Sequence, residues 1–286
     1  MLALRMPALP MAALRMLGIA VVALSASGCD RSDQISNQSA SAAQDSPSTA
    51  AVDSPATAIA SSIANPDRYA GDREQDVWRK SQEILEFMQV KPGMQVIDYF
   101  AGSGYFSELL SRAVGPSGSV VVYNNHGYAE FGGEHLVKRF ADARLANAKV
   151  ITEETAAFKL PADSVDAVLL YMSYHDLYWV QEKRTEPMGI PSQVNAALFA
   201  AVKPGGVVVV IDHSAQPGGD TAKVVGALHR IDPQTVKNDF VAAGFLFDAE
   251  SELMRHPEDD RTKVVFDESL RHRTDRFIYR FRKPAR

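Results

Sequence analysis

A histidine and an aspartate stand side by side in an aromatic stretch, residues 171–179, which reads Tyr-Met-Ser-Tyr-His-Asp-Leu-Tyr-Trp. Histidine exchanges protons near neutral pH, and an adjacent carboxylate can orient the imidazole, so His175 with Asp176 is a candidate general base. Tyr171 and Tyr174 could form an aromatic wall, which attracts cationic ligands. The stretch therefore predicts a catalytic site; the alternative is that His175 and Asp176 cap a helix while the tyrosines fill the core.

Two later histidines could join the same pocket. His213 follows Asp212 at the end of an apolar run, and His229 lies in a later segment with charged neighbours. The spacing of the histidines matches no metal-site signature, so the sequence predicts substrate contacts and no metal. The predicted catalytic residues are His175, Asp176, Tyr174, His213 and His229. A hydrolase built around the three histidines stays an alternative, although no G-x-S-x-G segment supplies a serine nucleophile.

A second segment that could take part in chemistry spans residues 96–110. Its sequence indicates a β-branched strand, a glycine turn and the start of a helix. Gly102 and Gly104 let the backbone bend and approach a ligand closely because they have no Cβ. The helix that follows offers unpaired N–H groups at its first turn. Asp98 lies at the carboxyl end of the strand, where open α/β sheets bind ligands. The segment predicts a nucleotide-type site; the alternative is that Asp98 caps the helix.

Strand and helix patterns alternate along the chain, which predicts a Rossmann-like, doubly wound α/β sheet with helices on both faces. Apolar runs and turn residues set the boundaries. The predicted strands are residues 96–99, 120–123, 149–151, 165–171, 207–212, 245–247 and 277–281. The predicted helices are residues 76–88, 103–114, 134–146, 192–202 and 234–243.

Three segments in this order resemble the class I S-adenosylmethionine-dependent methyltransferases. Residues 96–106 resemble the first motif, residues 160–170 the fourth-strand segment, and residues 202–212 the Lys-Pro-Gly-Gly turn before the fifth strand. The resemblance covers residues 73–283 and extends to a bacterial subfamily of exported methyltransferases. It implies a mostly parallel seven-stranded sheet, S-adenosyl-L-methionine as cofactor, and methyl transfer to a small-molecule or envelope-associated substrate.

The resemblance also implies a cofactor site. In the family, an acid at the position of Asp98 supports the methionine end of the cofactor, and an acid after the third strand, here Glu153, lies near the adenine. The implied cofactor-binding residues are Asp98, Phe100, Gly102, Gly104, Tyr105, Asn124, Glu153 and Tyr171. Phe100 replaces a glycine of the family pattern, and Asn124 replaces the acid that grips the ribose. These departures favour the alternative of a non-catalytic ligand-binding module on the same scaffold.

The amino-terminal residues 1–28 have the pattern of a secretory signal. They contain Arg5 and Arg15, no acidic residue, and an apolar run followed by small residues. Residues 26–29 resemble a bacterial lipobox, which implies that Cys29 is lipidated. We therefore expect an exported lipoprotein, anchored to a membrane of the cell envelope on the periplasmic side.

Composition sets the remaining expectations. Residues 29–64 are rich in Ser and Ala and predict a disordered tether, and residues 65–286 form the methyltransferase-like domain. Cys29 is the one cysteine of the sequence, so the domain has no disulfide and no thiolate metal site. Loss of residues 1–28 removes two arginines and no acid, which changes the net charge from -5 to -7. An acidic protein of this kind predicts no nucleic-acid partner.

Overall fold

The computed structural model describes residues 54–180 and 187–285. The predicted signal peptide, Cys29 and the first part of the predicted tether lie outside the described residues. Within those two ranges, no helix combines the length and apolar character needed to cross a membrane.

Seven strands form one sheet in the spatial order β3-β2-β1-β4-β5-β7-β6. The strands are β1 Gln95–Tyr99, β2 Ser119–Asn124, β3 Ala148–Thr152, β4 Val165–Tyr171, β5 Val202–His213, β6 Leu246–Ser251 and β7 Arg276–Arg282. All neighbours pair in parallel except β7, which runs antiparallel to both β5 and β6. This arrangement confirms the predicted Rossmann-like, mostly parallel sheet.

The central strands are buried on both faces, as their continuous apolar runs predict. Ile97 and Val168 point into one core cluster, and their neighbours Val96 and Leu169 point into the other. The helices are α1 Pro55–Ala64, α2 Asp76–Arg79, α3 Ser81–Phe87, α4 Tyr105–Val114, α5 His126–Phe140, α6 Pro191–Ala201, α7 Thr221–Leu228 and α8 Pro233–Ala242. Side chains of α1, α3 and α4 fill the second cluster, whereas α6 and α8 contribute to the first.

The predicted tether is wrong over its last ten residues, because α1 occupies them. Ser54 caps this helix by accepting a hydrogen bond from the backbone N–H of Thr57, and Pro55 occupies the first turn. Ile59 is 2% exposed and packs in the core with α3 and α4. The Ser/Ala-rich composition hid this helix, since tertiary packing of a narrow apolar stripe stabilises it.

Several helices also differ from prediction, among them α5, which ends at Phe140 and not at residue 146. The helix predicted over residues 76–88 is two helices, because Lys80 adopts a left-handed conformation with φ 53°. Helix α5 begins at His126, eight residues earlier than predicted, and Asn125 caps it. Helix α7 was not predicted, and it ends at His229, whose φ is 51°. Polar and glycine-containing helix faces give a weak periodic signal, which explains these differences.

Candidate functional site

The carboxyl ends of β4 and β5 bring a histidine and a buried aspartate together. His175 begins a short 3₁₀ helix after β4, and Asp212 lies near the end of β5. The Nδ1 atom of His175 lies 2.8 Å from Oδ1 of Asp212, and the backbone N–H of His175 donates to Oδ2 at 2.9 Å. Asp212 has no exposed surface. These two contacts fix the position and orientation of the imidazole.

Asp176 connects this pair to a histidine from another element. Its Oδ1 atom lies 3.4 Å from Nε2 of His175 and 3.9 Å from Nδ1 of His229, which ends α7. Its other oxygen, Oδ2, accepts a hydrogen bond from the hydroxyl of Tyr128. We call His175, Asp176, Asp212 and His229 the His–Asp cluster.

The pKa values of the two histidines in the cluster are shifted in opposite directions. Burial alone lowers the pKa of His175, but the nearby Asp212 and Asp176 carboxylates outweigh it and raise the pKa to about 9. Burial and the positive charge of His175 lower the pKa of His229. His175 is therefore protonated at neutral pH in the ligand-free protein, a state that does not suit the predicted general base.

The side chains of two predicted catalytic residues, His213 and Tyr174, make their polar contacts outside the cluster. The ring of His213 is 6.2 Å from that of His175, and its Nδ1 lies 2.9 Å from the Thr274 hydroxyl. Burial and the charge of Arg276 hold the pKa of His213 well below its usual range. Tyr174 is fully buried and turns away, donating its hydroxyl hydrogen bond to Asp239. The structure thus unites His175, Asp176 and His229, and it does not bring Tyr174 to them.

The glycine turn has the geometry that its sequence predicts. Gly102 and Gly104 have φ values of 57° and 81°, which favour glycine, and Gly104 precedes the first residue of α4. The side chain of Asp98 is buried and accepts a hydrogen bond of 2.6 Å from Ser107. Burial raises the pKa of Asp98 to about 6, although the contacts with Ser107 act in the opposite direction. Asp98 therefore supports the first turn of α4.

Protein atoms occupy the space over this turn. The side chain of Asn124 accepts from the N–H of Gly102 at 2.9 Å and donates to its carbonyl at 3.0 Å. A Cβ at Gly132 would lie 2.5 Å from that same carbonyl, so α5 rests directly on the turn. Phe100 has a φ of 59°, and its ring stacks on Tyr128 with 4.5 Å between centroids and 4° between planes.

These contacts decide whether the residues fit the cofactor that the resemblance implies. The Asn124 amide predicted to bind the ribose is already paired on both of its polar atoms. The Phe100 side chain, in place of the expected glycine, is buried against Tyr128. In the described conformation Asn124 and Tyr128 make protein contacts where S-adenosylmethionine would lie, so we expect cofactor binding to displace Tyr128.

The other residues predicted to bind the cofactor come from three elements: Tyr105 begins α4, Glu153 follows β3, and Tyr171 ends β4. Tyr105 contacts Ser81 through its hydroxyl at 2.5 Å, and the ring stands beneath the Arg79 guanidinium, 4.4 Å from its centroid. The Tyr171 hydroxyl is buried and has no hydrogen-bond partner among the described residues. Glu153 is exposed, and its backbone carbonyl accepts a hydrogen bond from Tyr123.

A cavity of about 450 Å³ opens beside Tyr99, between the segment that follows β3 and helix α6. Glu154, Phe158, Met188 and Val194 are among its lining residues. Its volume falls within the range of small-molecule sites, and most of its lining is apolar. The cavity provides space for a small ligand, and no residue of the glycine turn lines it.

Two residues of the site were given no role from the sequence. Asp212 could have been assigned one, because its position at a strand end places it on the same sheet edge as His175. Tyr128 gave no signal, since its contacts to Phe100 and Asp176 join segments that are distant in the sequence.

Comparison with known proteins gives the fold. No family model and no curated protein matches the chain. A methyltransferase dependent on S-adenosylmethionine from Aquifex aeolicus is 18% identical, with a TM-score of 0.51 over 74% of this chain and 94% of that one. The chain has the class I methyltransferase fold.

Two further solved structures share this fold. The [4+2]-cyclase SpnF is 16% identical, with a TM-score of 0.54 over 81% of this chain and 93% of that one. Phosphoethanolamine N-methyltransferase 2 of Haemonchus contortus, solved with S-adenosyl-L-methionine, is 12% identical, with a TM-score of 0.51 over 72% of this chain and 53% of that one. At these identities the similarity establishes the fold, and function has to be argued from the site.

Proposed function

We propose that the chain is an S-adenosylmethionine-dependent methyltransferase that acts on a small or envelope-associated acceptor. The observation that carries the proposal is one sheet edge with two features: Asp98 with its glycine turn after β1, and the His–Asp cluster after β4 and β5. Neighbours with this fold include a methyltransferase from Aquifex aeolicus and one that binds the cofactor.

The residues of this chain have separate tasks in the proposed function. Asp98 and the first turn of α4 hold the glycine turn in shape through the bond with Ser107. The His–Asp cluster, whose members come from β5, α7 and the 3₁₀ helix, holds a polar group of the acceptor. Tyr128 occupies the space between the two features and closes the cofactor crevice in the absence of ligand.

Calorimetric titration of S-adenosylmethionine and S-adenosylhomocysteine into the full chain tests the proposal. We expect binding, and we expect tighter binding by Tyr128→Ala because this variant removes the ring that fills the crevice. Val137→Ala is a matched control, since Val137 lies on the exposed face of the same helix. Absence of binding by the folded parent and by Tyr128→Ala at millimolar concentrations refutes the proposal.

A second candidate is a ligand-binding module that does not use this cofactor. The contact of Asn124 and Gly132 with Gly102 favours it, because the glycine turn already binds protein groups. One neighbour with this fold is described as a [4+2]-cyclase, so the fold is not tied to methyl transfer. The same titration separates the two candidates, since this one predicts that neither cofactor form binds.

The proposed location is the periplasmic side of a bacterial membrane, with a lipid on Cys29 as anchor. The arginines and apolar run before Cys29 support it. Cell fractionation of the full chain and of Cys29→Ala tests the proposal. We expect the parent in the membrane fraction and the variant in the soluble one. Equal distribution of the two proteins contradicts the lipid anchor.

A further inference from the structure

Three side chains of the His–Asp cluster direct an unused ligand atom at one point. One ring nitrogen each of His175 and His229 and one carboxylate oxygen of Asp176 all lie within 4.8 Å of one another. Two of the separations, measured to Oδ1 of Asp176, are 3.4 Å from His175 and 3.9 Å from Nδ1 of His229. Donors bound tetrahedrally at about 2.0–2.1 Å from an ion lie roughly 3.3 Å apart, so small side-chain shifts would complete the geometry.

The neighbours of these side chains select the atoms that face that point. Asp212 accepts from Nδ1 of His175, so Nε2 is the nitrogen that can bind a metal ion once it has lost its proton. Tyr128 donates to Oδ2 of Asp176, which leaves Oδ1 available. Carboxylate–histidine and hydroxyl–carboxylate pairs of this kind orient the ligands of metal sites and fix their protonation.

The position of His229 is set by its backbone and by aromatic contacts. Its N–H donates to the carbonyl of Val225, and it ends α7 in the left-handed conformation. Its ring makes edge contacts with Trp179 and Phe266, with centroids 4.8 Å and 5.0 Å away. The side chain is 17% exposed, so the point is accessible from solvent.

We propose that His175, Asp176 and His229 bind one divalent transition-metal cation. Two imidazole nitrogens and one carboxylate oxygen suit Zn²⁺, Fe²⁺ and Co²⁺, and they leave a coordination position for a water or a substrate atom. Asp176 and Asp212 supply the negative charge that such a site needs. The expectation of no metal came from sequence spacing, which cannot detect a ligand that lies about fifty residues from the other two.

Titration of Co²⁺ into the full chain, stripped with a chelator, tests this site by visible absorption. We expect the d–d bands of low-coordinate Co²⁺ to saturate at one equivalent and to be displaced by Zn²⁺. His229→Ala should bind at least tenfold more weakly, and Asp212→Asn should bind about 10–100-fold more weakly through the loss of the negative charge beside His175. His256→Ala is the matched control, because His256 lies in another loop and contacts Glu258.

The principal alternative is a buried ion pair, in which a protonated His175 bridges Asp176 and Asp212 without a metal. That arrangement predicts no Co²⁺ bands from the parent protein. Bands that are equally strong in a folded His229→Ala variant would overturn the assignment as well. X-ray absorption of the parent loaded with Zn²⁺ decides the matter if a variant does not fold, since it must detect two imidazole ligands. Neither measurement depends on S-adenosylmethionine, so the metal site and the proposed function can fail separately.

Discussion

The buried carboxyl group of Asp98 should make the stability of the protein depend on pH in a direction opposite to that of most carboxylates. Its pKa is raised from 3.8 to about 6, chiefly by burial. The folded state then holds the proton more tightly than the unfolded state, so ionisation of Asp98 destabilises the fold. Below pH 3.8 Asp98 does not change the free energy of unfolding. As the pH rises from 3.8 toward 6, ionisation of Asp98 in the unfolded state lowers this free energy, and above pH 6 the full loss is reached.

The magnitude follows from the size of this shift. A rise in the pKa of Asp98 from 3.8 to about 6 corresponds to about 3 kcal/mol in the free energy of unfolding. Asp98→Asn removes the titration and keeps an oxygen that can accept the hydrogen bond from Ser107. The amide group adds an unpaired buried donor, whose cost of about 1–3 kcal/mol is the same at every pH. The difference in stability between variant and parent should therefore change by about 3 kcal/mol, in favour of the variant, between pH 3.5 and 7.5.

Urea unfolding followed by circular dichroism at several pH values measures this difference. Ser107→Ala should raise the upper limit of this pH window, since the hydrogen bond from the Ser107 hydroxyl lowers the pKa of folded Asp98. Glu134→Gln is the control, because this side chain is 82% exposed. Parallel curves for the parent and Asp98→Asn would refute the assignment of the raised pKa to Asp98.

Two further predictions concern residues that position the site. Arg139→Met should destabilise the protein by about 3–5 kcal/mol in urea unfolding, because it leaves the buried Asp72 and Glu108 carboxylates without this cation. The control is Lys138→Met, which removes an exposed ion pair with Glu134 and should change stability by less than about 0.5 kcal/mol. Gly132→Ala should lower the stability of the protein by about 1–3 kcal/mol, since its Cβ would lie 2.5 Å from the Gly102 carbonyl. Gly226→Ala is the control: this helical position has open space around it, so the substitution should raise stability by up to about 1 kcal/mol. Equal effects of the two glycine substitutions would contradict the close contact of α5 with the turn.

The sequence predicted the sheet well because its central strands are buried and apolar on both faces. Residues 165–171 form β4 at the predicted bounds, although Asp166 interrupts the apolar run near its start. The predicted start of α5 is eight residues late because Gly127, Gly132 and Gly133 interrupt the helical pattern of the sequence. Gly133 also breaks the helical geometry, with a ψ of -139°. Gly132 is needed for the close contact of α5 with Gly102, but glycine also lowers helix propensity. The residue that makes the contact possible therefore weakens the sequence signal for the helix.

Sequence reasoning predicted some residues of the His–Asp cluster and gave no role to Asp212. Strand ends on one edge place His175 and Asp212 together, and this follows from topology alone. The rotation of the 3₁₀ helix decides that His175 faces the cluster while the adjacent Tyr174 faces Asp239, and no periodic pattern encodes that rotation. The closure by Tyr128 depends on the fold of α5, which the sequence pattern did not reveal.

Tyr128 connects the two proposals because it contacts both features of the sheet edge. Its ring stacks on Phe100 above the glycine turn, and its hydroxyl bonds Asp176 in the cluster. A cofactor that enters the crevice must displace this ring, and the displacement removes the hydrogen bond that orients Asp176. Cofactor and metal would therefore oppose each other through Tyr128, and by reciprocity each would weaken the binding of the other by the same factor. The opposition disappears if the hydroxyl keeps its bond while the ring moves, because Asp176 then retains the orientation that the metal needs.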